Sequence, residues 1–182
     1  MAMEASDPLE LKEQQEAGLE KKMKPVSFSM AVLAVLVALV TVMGHRTHTE
    51  AVLLQAKASD QWNLYQAKKI RQNDTEIATD LLSALSVRDP AAGKKLADSY
   101  QVHQEKWNQD LKQEQSEAQG LEAEVKSAER RADRFDLGEA LLEIGLVVSS
   151  ITLLTRIRGY WYMGMIFGLA GVIVAAFAYT IR

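Results

Sequence analysis

The sequence predicts an all-α membrane protein: three transmembrane helices, with a long antiparallel helical hairpin (a coiled coil) between the first and the second. Three observations predict this fold. Two windows of about twenty residues contain no charged side chain, and this is the length at which a helix crosses a bilayer. A third window of similar length is apolar apart from two glutamates. The long stretch after the first window is charged, rich in helix formers and interrupted by a single proline.

The average composition hides this segregation. The chain has 182 residues, of which 48% are hydrophobic and 25% charged, with a net charge of −3; these values are ordinary for a soluble domain. The lack of cysteine excludes a disulfide framework, a Cys-ligated metal centre and thiol chemistry. Because the chain has no basic excess, we expect no nucleic-acid partner. We expect no cofactor either.

The first apolar window, residues 25–44, reads PVSFSMAVLAVLVALVTVMG and is opened by Pro25. It follows a tail, residues 1–24, that is rich in acids and is expected on the cytoplasmic side. A cleaved signal peptide has a shorter apolar run and a basic leader. The window is therefore interpreted as an uncleaved anchor. The tail is interpreted as a solvated, partly helical segment, with docking of a partner as the alternative.

The other two spans are assigned to residues 135–156 and 160–181. The last span is uncharged and has aromatic residues at both ends, from Tyr160 to Tyr179, as suits the two membrane interfaces. The span before it contains the two glutamates. Both spans are expected to cross the membrane.

Basic flanks indicate the orientation of the spans, because lysine and arginine are retained on the cytoplasmic side. Three lysines at 21–24 and two arginines at 156–158 lie on one side in a three-span topology. This favours a cytoplasmic N-terminus and a hairpin in the periplasm of a bacterial cell, with the spans in the inner membrane. Three arginines at 130–134 lie on the opposite side, so a cytoplasmic hairpin is the alternative.

The hairpin is predicted over residues 45–134, with its turn at residues 88–91. Pro90 is its only proline, and a helix tends to stop before proline because the ring removes a backbone donor and clashes with the preceding turn. Asp89 followed by Pro90 is typical of an N-cap and a first helical residue. No strong breaker separates the hairpin from its spans, so both helices should run into them without interruption.

An apolar seam at spacings of three and four residues is predicted to join the two hairpin helices. On the second helix the seam comprises Leu96, Tyr100, His103, Trp107, Leu111, Ala118, Leu121, Val125, Ala128, Ala132 and Phe135. On the first helix it comprises Leu54, Ala58, Trp62, Tyr65, Ile70, Ile77, Leu81 and Leu85. Folding back places Leu81 near Leu96, Ile77 near Tyr100 and Ile70 near Trp107. Because a two-helix hairpin has little core of its own, we expect a homo-oligomer.

Two stretches are informative in their order of residues and not only in their hydrophobic pattern. They are KASDQWNLYQAKKIR at residues 57–71 and RFDLGEALLEIGLVVSSITLLTR at residues 134–156. With the preceding apolar anchor, they resemble the bacterial domain-of-unknown-function family numbered 4337, over most of the chain from about Pro25 to its end. The resemblance implies a bacterial multi-span membrane protein with an intervening helical region. It implies no activity.

Three carboxylates are the first candidate functional residues. Asp136, Glu139 and Glu143 fall at i, i+3 and i+7 and therefore share one helical face. Glu143 is expected inside the hydrocarbon, where a charge is costly and marks function by default. One interpretation is a proton or cation site, or a ring of carboxylates in an oligomer. The other is that Glu143 snorkels to the interface, or that the span begins later.

Small residues on the last span are candidates for helix packing. Gly164, Gly168, Gly171 and Ala175 recur at steps of four, three and four residues. Such a face lets helices approach closely in lipid, within a chain or between subunits.

The three histidines give only a weak indication of a metal site, and no metal site is predicted. His45 and His48 could face one metal ion on a helix and are weak candidates for metal ligands, but no third ligand is compelling although Glu50 is near, so they are interpreted as interfacial residues. His103 is interpreted as a packed residue of the seam.

The sequence contains no phosphate loop, nucleophile elbow or zinc-protease motif, so we expect a protein that is not an enzyme. The preferred hypothesis is an oligomeric, membrane-anchored coiled-coil scaffold or regulatory protein. Its partners would be the lipid bilayer, further copies of itself and other envelope proteins. The alternative is a small oligomeric ion or proton channel or transporter that uses Glu143.

Overall fold

The computed structural model describes residues 8–84 and 89–180. These residues form three α-helices, α1 (Pro8–Ala84), α2 (Pro90–Thr155) and α3 (Arg158–Phe177), followed by a 3-10 turn at Ala178–Thr180. No strand occurs in these ranges, so the predicted helical class is confirmed for them. Each of the three helices contains a segment long and apolar enough to cross a membrane.

Two of the helices are far longer than a membrane span requires, since α1 has 77 residues and α2 has 66. The predicted continuity is confirmed, because neither helix breaks between its apolar and its charged part. The predicted start of α1 is corrected: Pro8 is its first residue and Pro25 lies inside it. Pro8 suits that position because its missing N–H has no helical acceptor. The helix continues through Pro25 despite the backbone hydrogen bond lost there.

The predicted cap of α2 is confirmed. Asp89 Oδ1 accepts hydrogen bonds from the backbone N–H groups of Ala91 at 3.0 Å and Ala92 at 3.2 Å. Pro90 is the first residue of the helix. Residues 85–88, which include Leu85 of the predicted seam and the first residue of the predicted turn, lie outside the described residues.

The other end of α2 is a left-handed cap formed by an arginine. Arg156 has a φ of 59°, and its N–H donates to the carbonyl oxygen of Thr152 at 2.8 Å. This is the αL motif that glycine usually forms, because a side chain is strained at positive φ. The cap reverses the chain so tightly that only Arg156 and Ile157 separate α2 from α3.

The chain divides into two compact units. The three-helix unit comprises Met1–Thr47 and Arg130–Arg182, and the hairpin unit comprises His48–Glu129. The apolar core of the three-helix unit consists of Leu33, Val40, Phe135, Leu142, Ala175 and Ala178. All three helices therefore contribute to one core.

Aromatic side chains join the helices at both ends of the three-helix unit. Trp161 Nε1 donates a hydrogen bond to Ser29 Oγ at 2.8 Å. At the other end, Tyr179 donates to the sulfur of Met43 at 3.0 Å, and its ring packs edge-on against Phe135 at 5.8 Å. Eighteen residues separate Trp161 from Tyr179, which is about 27 Å of helix. That distance is close to the ~30 Å thickness of a bilayer's hydrocarbon core.

The hairpin unit is held by a seam with a seven-residue repeat. On α1 the buried or half-buried positions of this seam are Ala51, Leu54, Ala58, Gln61, Tyr65, Lys68, Gln72, Thr75, Thr79 and Leu82. On α2 they are Ala97, Tyr100, Gln104, Trp107, Leu111, Glu114, Ala118, Leu121, Val125 and Ala128. Steps of three and four alternate along both helices, which is the spacing of helices packed side by side.

Much of this seam is polar and hydrogen-bonded between the two helices. Gln72 Nε2 donates to Asn108 Oδ1 at 2.5 Å. Glu114 accepts from both Gln61 and Lys68. Buried polar groups are costly unless they are paired, and these pairs satisfy one another.

The predicted seam on α1 is right at Leu54, Ala58 and Tyr65 but wrong towards the hairpin turn. Ile70, Ile77 and Leu81 are 59%, 58% and 54% exposed, and they lie on the face of α1 opposite Gln72. The prediction selected apolar residues, whereas this part of the seam is filled by glutamine, threonine and lysine. The predicted register of the two helices is nearly right. Gln72 lies opposite Asn108, and the sequence analysis pairs Ile70 with Trp107.

The predicted seam on α2 needs a smaller correction. Tyr100 and Trp107 occupy seam positions and are half-buried. Leu96 and His103 are exposed, and their neighbours Ala97 and Gln104 lie in the seam instead. Again the larger or more apolar neighbour was selected, although the heptad spacing requires the next residue.

Candidate functional site

Two of the three candidate carboxylates lie beside α1. Glu139 Oε1 accepts a hydrogen bond from Thr41 Oγ1 at 2.6 Å. Asp136 Oδ1 lies 3.4 Å from the position that a Cβ would occupy on Gly44. Thr41 Oγ1 also lies 2.9 Å from the carbonyl oxygen of Val37, so its single proton is shared between two acceptors. The sequence pattern did not single out Thr41, although it is one of the few polar residues in the first apolar window.

Glu143 points away from this contact. It is exposed on the surface of the three-helix unit, whereas Glu139 is half-buried. The structure therefore does not bring the three carboxylates to a common centre within one chain. An ionised carboxylate that faces hydrocarbon costs about 2.5–3.5 kcal/mol on insertion scales. In a bilayer, the position of Glu143 is favourable only if another molecule or the interface covers it.

The small residues of α3 pack against α2 within the same chain. Gly164, Gly168, Gly171 and Ala175 are all buried. A Cβ on Gly171 would lie 2.7 Å from the carbonyl oxygen of Gly138, and one on Gly164 would lie 2.6 Å from that of Gly145. The two backbones are thus in direct contact, as small residues allow in lipid.

The partner face of α2 was not predicted from the sequence. It consists of Gly138, Leu142, Gly145, Ser149 and Thr152, all buried, at steps of four, three, four and three. The same spacing rule that selects the α3 residues would have found it. The hydroxyls of Ser149 and Thr152 are fully buried and have no hydrogen-bond partner among the described residues. Ser149 Oγ lies directly against Gly164 of α3, where it would collide with an added Cβ, so no space for a ligand adjoins Ser149 there.

The hairpin unit carries an apolar stripe, defined as Ile70, Ile77 and Leu81. The three residues lie within about 40° of one another around α1, because they are seven and four residues apart. They face away from the seam, and more than half of each side chain is exposed. Three large apolar side chains at helical spacing on a surface mark a contact site more often than isolated ones do.

None of the three histidines belongs to a metal-binding group among the described residues. His45 and His48 are exposed, and the described residues hold no group of three or more His, Cys, Asp or Glu side chains arranged to bind a metal ion. A ring nitrogen of His103 lies 2.6 Å from the carbonyl oxygen of Ser99. Its ring also packs at a tilt against Trp107, at 5.7 Å.

Comparison with known proteins gives a family and no activity. The family model described as Domain of unknown function (DUF4337) matches residues 22–181. The match includes both stretches on which the resemblance rests. No curated protein and no solved structure matches the chain.

Proposed function

We propose that this chain, which belongs to the family described as Domain of unknown function (DUF4337), is a non-enzymatic, membrane-anchored helical scaffold that works as a homo-oligomer. Three apolar helices and aromatic ends about 27 Å apart support a position in the bilayer. The observation that carries the proposal is the apolar stripe on the hairpin unit.

A second copy of the chain is the occupant that best fits this stripe. Ile70, Ile77 and Leu81 keep the seven-and-four spacing with which helices pack side by side, and a second copy presents the same stripe. Full burial of such a side chain contributes about 1.5–3 kcal/mol. Because each is a little more than half exposed, contact between copies would contribute roughly 1 kcal/mol per residue.

The exposed carboxylate of Glu143 supports the same proposal independently. It lies on the apolar part of α2, on the outer surface of the three-helix unit. Contact between neighbouring copies would remove the Glu143 carboxylate from lipid and place it beside polar groups. A monomer in the bilayer would leave the cost of its charge uncompensated unless the side chain reached the interface.

Disulfide trapping tests the assembly, because the chain has no cysteine of its own. Ile77→Cys should form a cross-linked dimer in membranes under mild oxidation. Glu76→Cys is the matched control, since Glu76 is also exposed but lies about 100° further around the helix. Equal cross-linking of both variants, or a monomer mass by light scattering of the wild-type protein in mild detergent, would refute the proposal.

A channel is the second candidate, and the outward position of Glu143 favours it. In a ring of copies, these side chains would line a shared path for protons or cations. Ion flux into liposomes tests this function, with Glu143→Gln as the variant. Ion flux that is lost in the variant would establish the channel. The absence of flux in the wild-type protein would exclude the channel and leave the scaffold as the proposed function.

The membrane, the sidedness and the outside partners belong to the same proposal. The basic flanks support a bacterial inner membrane with the hairpin unit in the periplasm, where other envelope proteins would bind it. A reporter enzyme fused at Gly93, near the hairpin turn, distinguishes the two sides. Activity of a cytoplasmic reporter at this position would reverse the assignment.

A further inference from the structure

A small cavity opens beside Tyr179 in the three-helix unit. Its volume is about 250 Å³, slightly below the range of about 300–1,000 Å³ typical of sites for drug-sized molecules. The apolar part of its wall includes Met43 and Phe135, and the polar part consists of Arg46, Thr47, Arg131 and Tyr179. The cavity therefore suits a small polar group attached to something apolar.

The charge of the cavity wall is positive. Two of the lining residues are arginines and none is acidic. The guanidinium of Arg46 makes no hydrogen bond or ion pair with any described residue, so it is available to a ligand. Asp136, the carboxylate on α2 nearest in sequence to the lining residue Phe135, does not line the cavity. Guanidinium groups bind phosphate oxygens with paired hydrogen bonds, which makes arginine the preferred residue for this anion.

The hydroxyls of the wall add to this chemistry. Tyr179 donates to the sulfur of Met43 at 3.0 Å, and a thioether is a weak acceptor that a phosphate oxygen would readily replace. Thr47 donates to the carbonyl oxygen of Met43 at 2.9 Å, so its proton is already used. The donors available to an anion are thus the guanidinium of Arg46 and the phenol of Tyr179, in the field of Arg131.

The position of the cavity identifies the source of the anion. Tyr179 is one of the two aromatic ends that lie about 27 Å apart along α3, so the cavity lies at the level where lipid headgroups meet hydrocarbon. A lipid phosphate lies at this level, and a guanidinium group binds phosphate oxygens through paired hydrogen bonds. We propose that this cavity binds the phosphate group of an anionic phospholipid, with its acyl chains against the apolar surface of the three-helix unit. The inference rests on the proposed position in the membrane.

Lipid titration of the full-length protein tests the site. Short-chain phosphatidylglycerol and phosphatidylcholine are added to the protein in neutral detergent, and binding is followed by calorimetry. We expect phosphatidylglycerol to bind at least about tenfold more tightly than phosphatidylcholine. Arg46→Gln should weaken phosphatidylglycerol binding by about tenfold or more, the range expected for a lost charge-assisted hydrogen bond. Arg46→Lys should lose less affinity for phosphatidylglycerol, because lysine keeps the positive charge and loses only the paired hydrogen bonds of the guanidinium.

Arg134→Gln is the matched control. Arg134 lies on α2 one turn from Arg131, is exposed and does not line the cavity, yet its substitution changes the net charge equally. Its effect on affinity should stay below about twofold. Equal effects of Arg46→Gln and Arg134→Gln, or equal affinity for the two lipids, would overturn the inference. Saturable binding of inorganic phosphate without any binding of phosphatidylglycerol would overturn the lipid as the source.

Extraction of cell membranes with alkaline carbonate separates this inference from the function on which it rests. Release of the wild-type protein would refute the position in the membrane. Retention in the membrane together with a lack of preference for phosphatidylglycerol would refute the lipid site alone.

Discussion

Replacement of Gly145 by alanine should destabilise the contact between α2 and α3, because that contact has no room for a Cβ. The added carbon would lie 2.7 Å from the carbonyl oxygen of Gly164 and 2.9 Å from the backbone nitrogen of Gly168. Both neighbours are backbone atoms and cannot rotate away. Since ordinary contact begins at 3.4 Å, the two helices must separate by about 0.7 Å.

The size of the effect follows from two opposing terms. A gap of this size forfeits roughly a quarter to a half of the dispersion energy of each contact, and forced insertion of a methyl group into a packed interface costs about 1–3 kcal/mol. Alanine recovers about 0.5–1 kcal/mol because it is the better helix former. The expected net loss in the free energy of unfolding is about 1–2 kcal/mol. For a chain of this length that loss lowers the Tm by about 2–8 °C.

Thermal unfolding in mild detergent, followed by circular dichroism, measures this loss against two further glycines. A Cβ on Gly120 would meet no atom within 4 Å, so Gly120→Ala should raise stability by about 0.5–1 kcal/mol. A Cβ on Gly168 would meet a methyl group of Leu33 at 2.5 Å. That side chain can move, so Gly168→Ala should cost less than Gly145→Ala. If Gly145→Ala gained stability like Gly120→Ala, the close approach of α2 and α3 would be disproved.

Three further predictions concern single contacts. Asp89→Ala should lower the unfolding free energy by about 0.5–2 kcal/mol and speed protease cleavage near residue 89, whereas Asp89→Asn should keep the cap; equal cleavage of all three proteins would contradict this. Arg156→Gly should raise the Tm, since glycine removes about 1 kcal/mol of strain at positive φ, and a lowered Tm would contradict it. Thr41→Val should cost about 1–3 kcal/mol by leaving Glu139 without its donor, and in a Glu139→Leu background the same substitution should cost far less.

The elements of this fold were predictable where one residue type has one physical meaning. Uncharged windows of about twenty residues, the pair Asp89–Pro90 and the small residues of α3 are such cases. The end of α2 at Arg156 was harder, because it uses an arginine where glycine is the usual residue. Pro25 was misleading because proline is the usual residue at the start of a helix, whereas α1 tolerates this proline in its interior.

The polar part of the hairpin seam could not be predicted from hydrophobicity. On α1 its positions include Gln61, Lys68 and Gln72, and their partners across the hairpin are Glu114 and Asn108. Such pairs are recognisable only when both helices and their register are known, because each residue alone is typical of a solvated surface. The carboxylate sites show the same limit: the spacing put Glu139 and Glu143 on one face, but only the position of α1 distinguishes them.

The two-residue connection between α2 and α3 has a consequence for the order of folding. Gly145 and Gly164, which meet across it, are 19 residues apart, whereas Thr41 and Glu139 are separated by 98. In a flexible chain, the longer closure costs about 1.5 kcal/mol more in entropy. The pair formed by α2 and α3 should therefore assemble early as a helical hairpin, with the docking of the first apolar helix as the late and slow step. The ribosome synthesises that helix first, so it must wait for α2 and α3 to form the surface to which it binds.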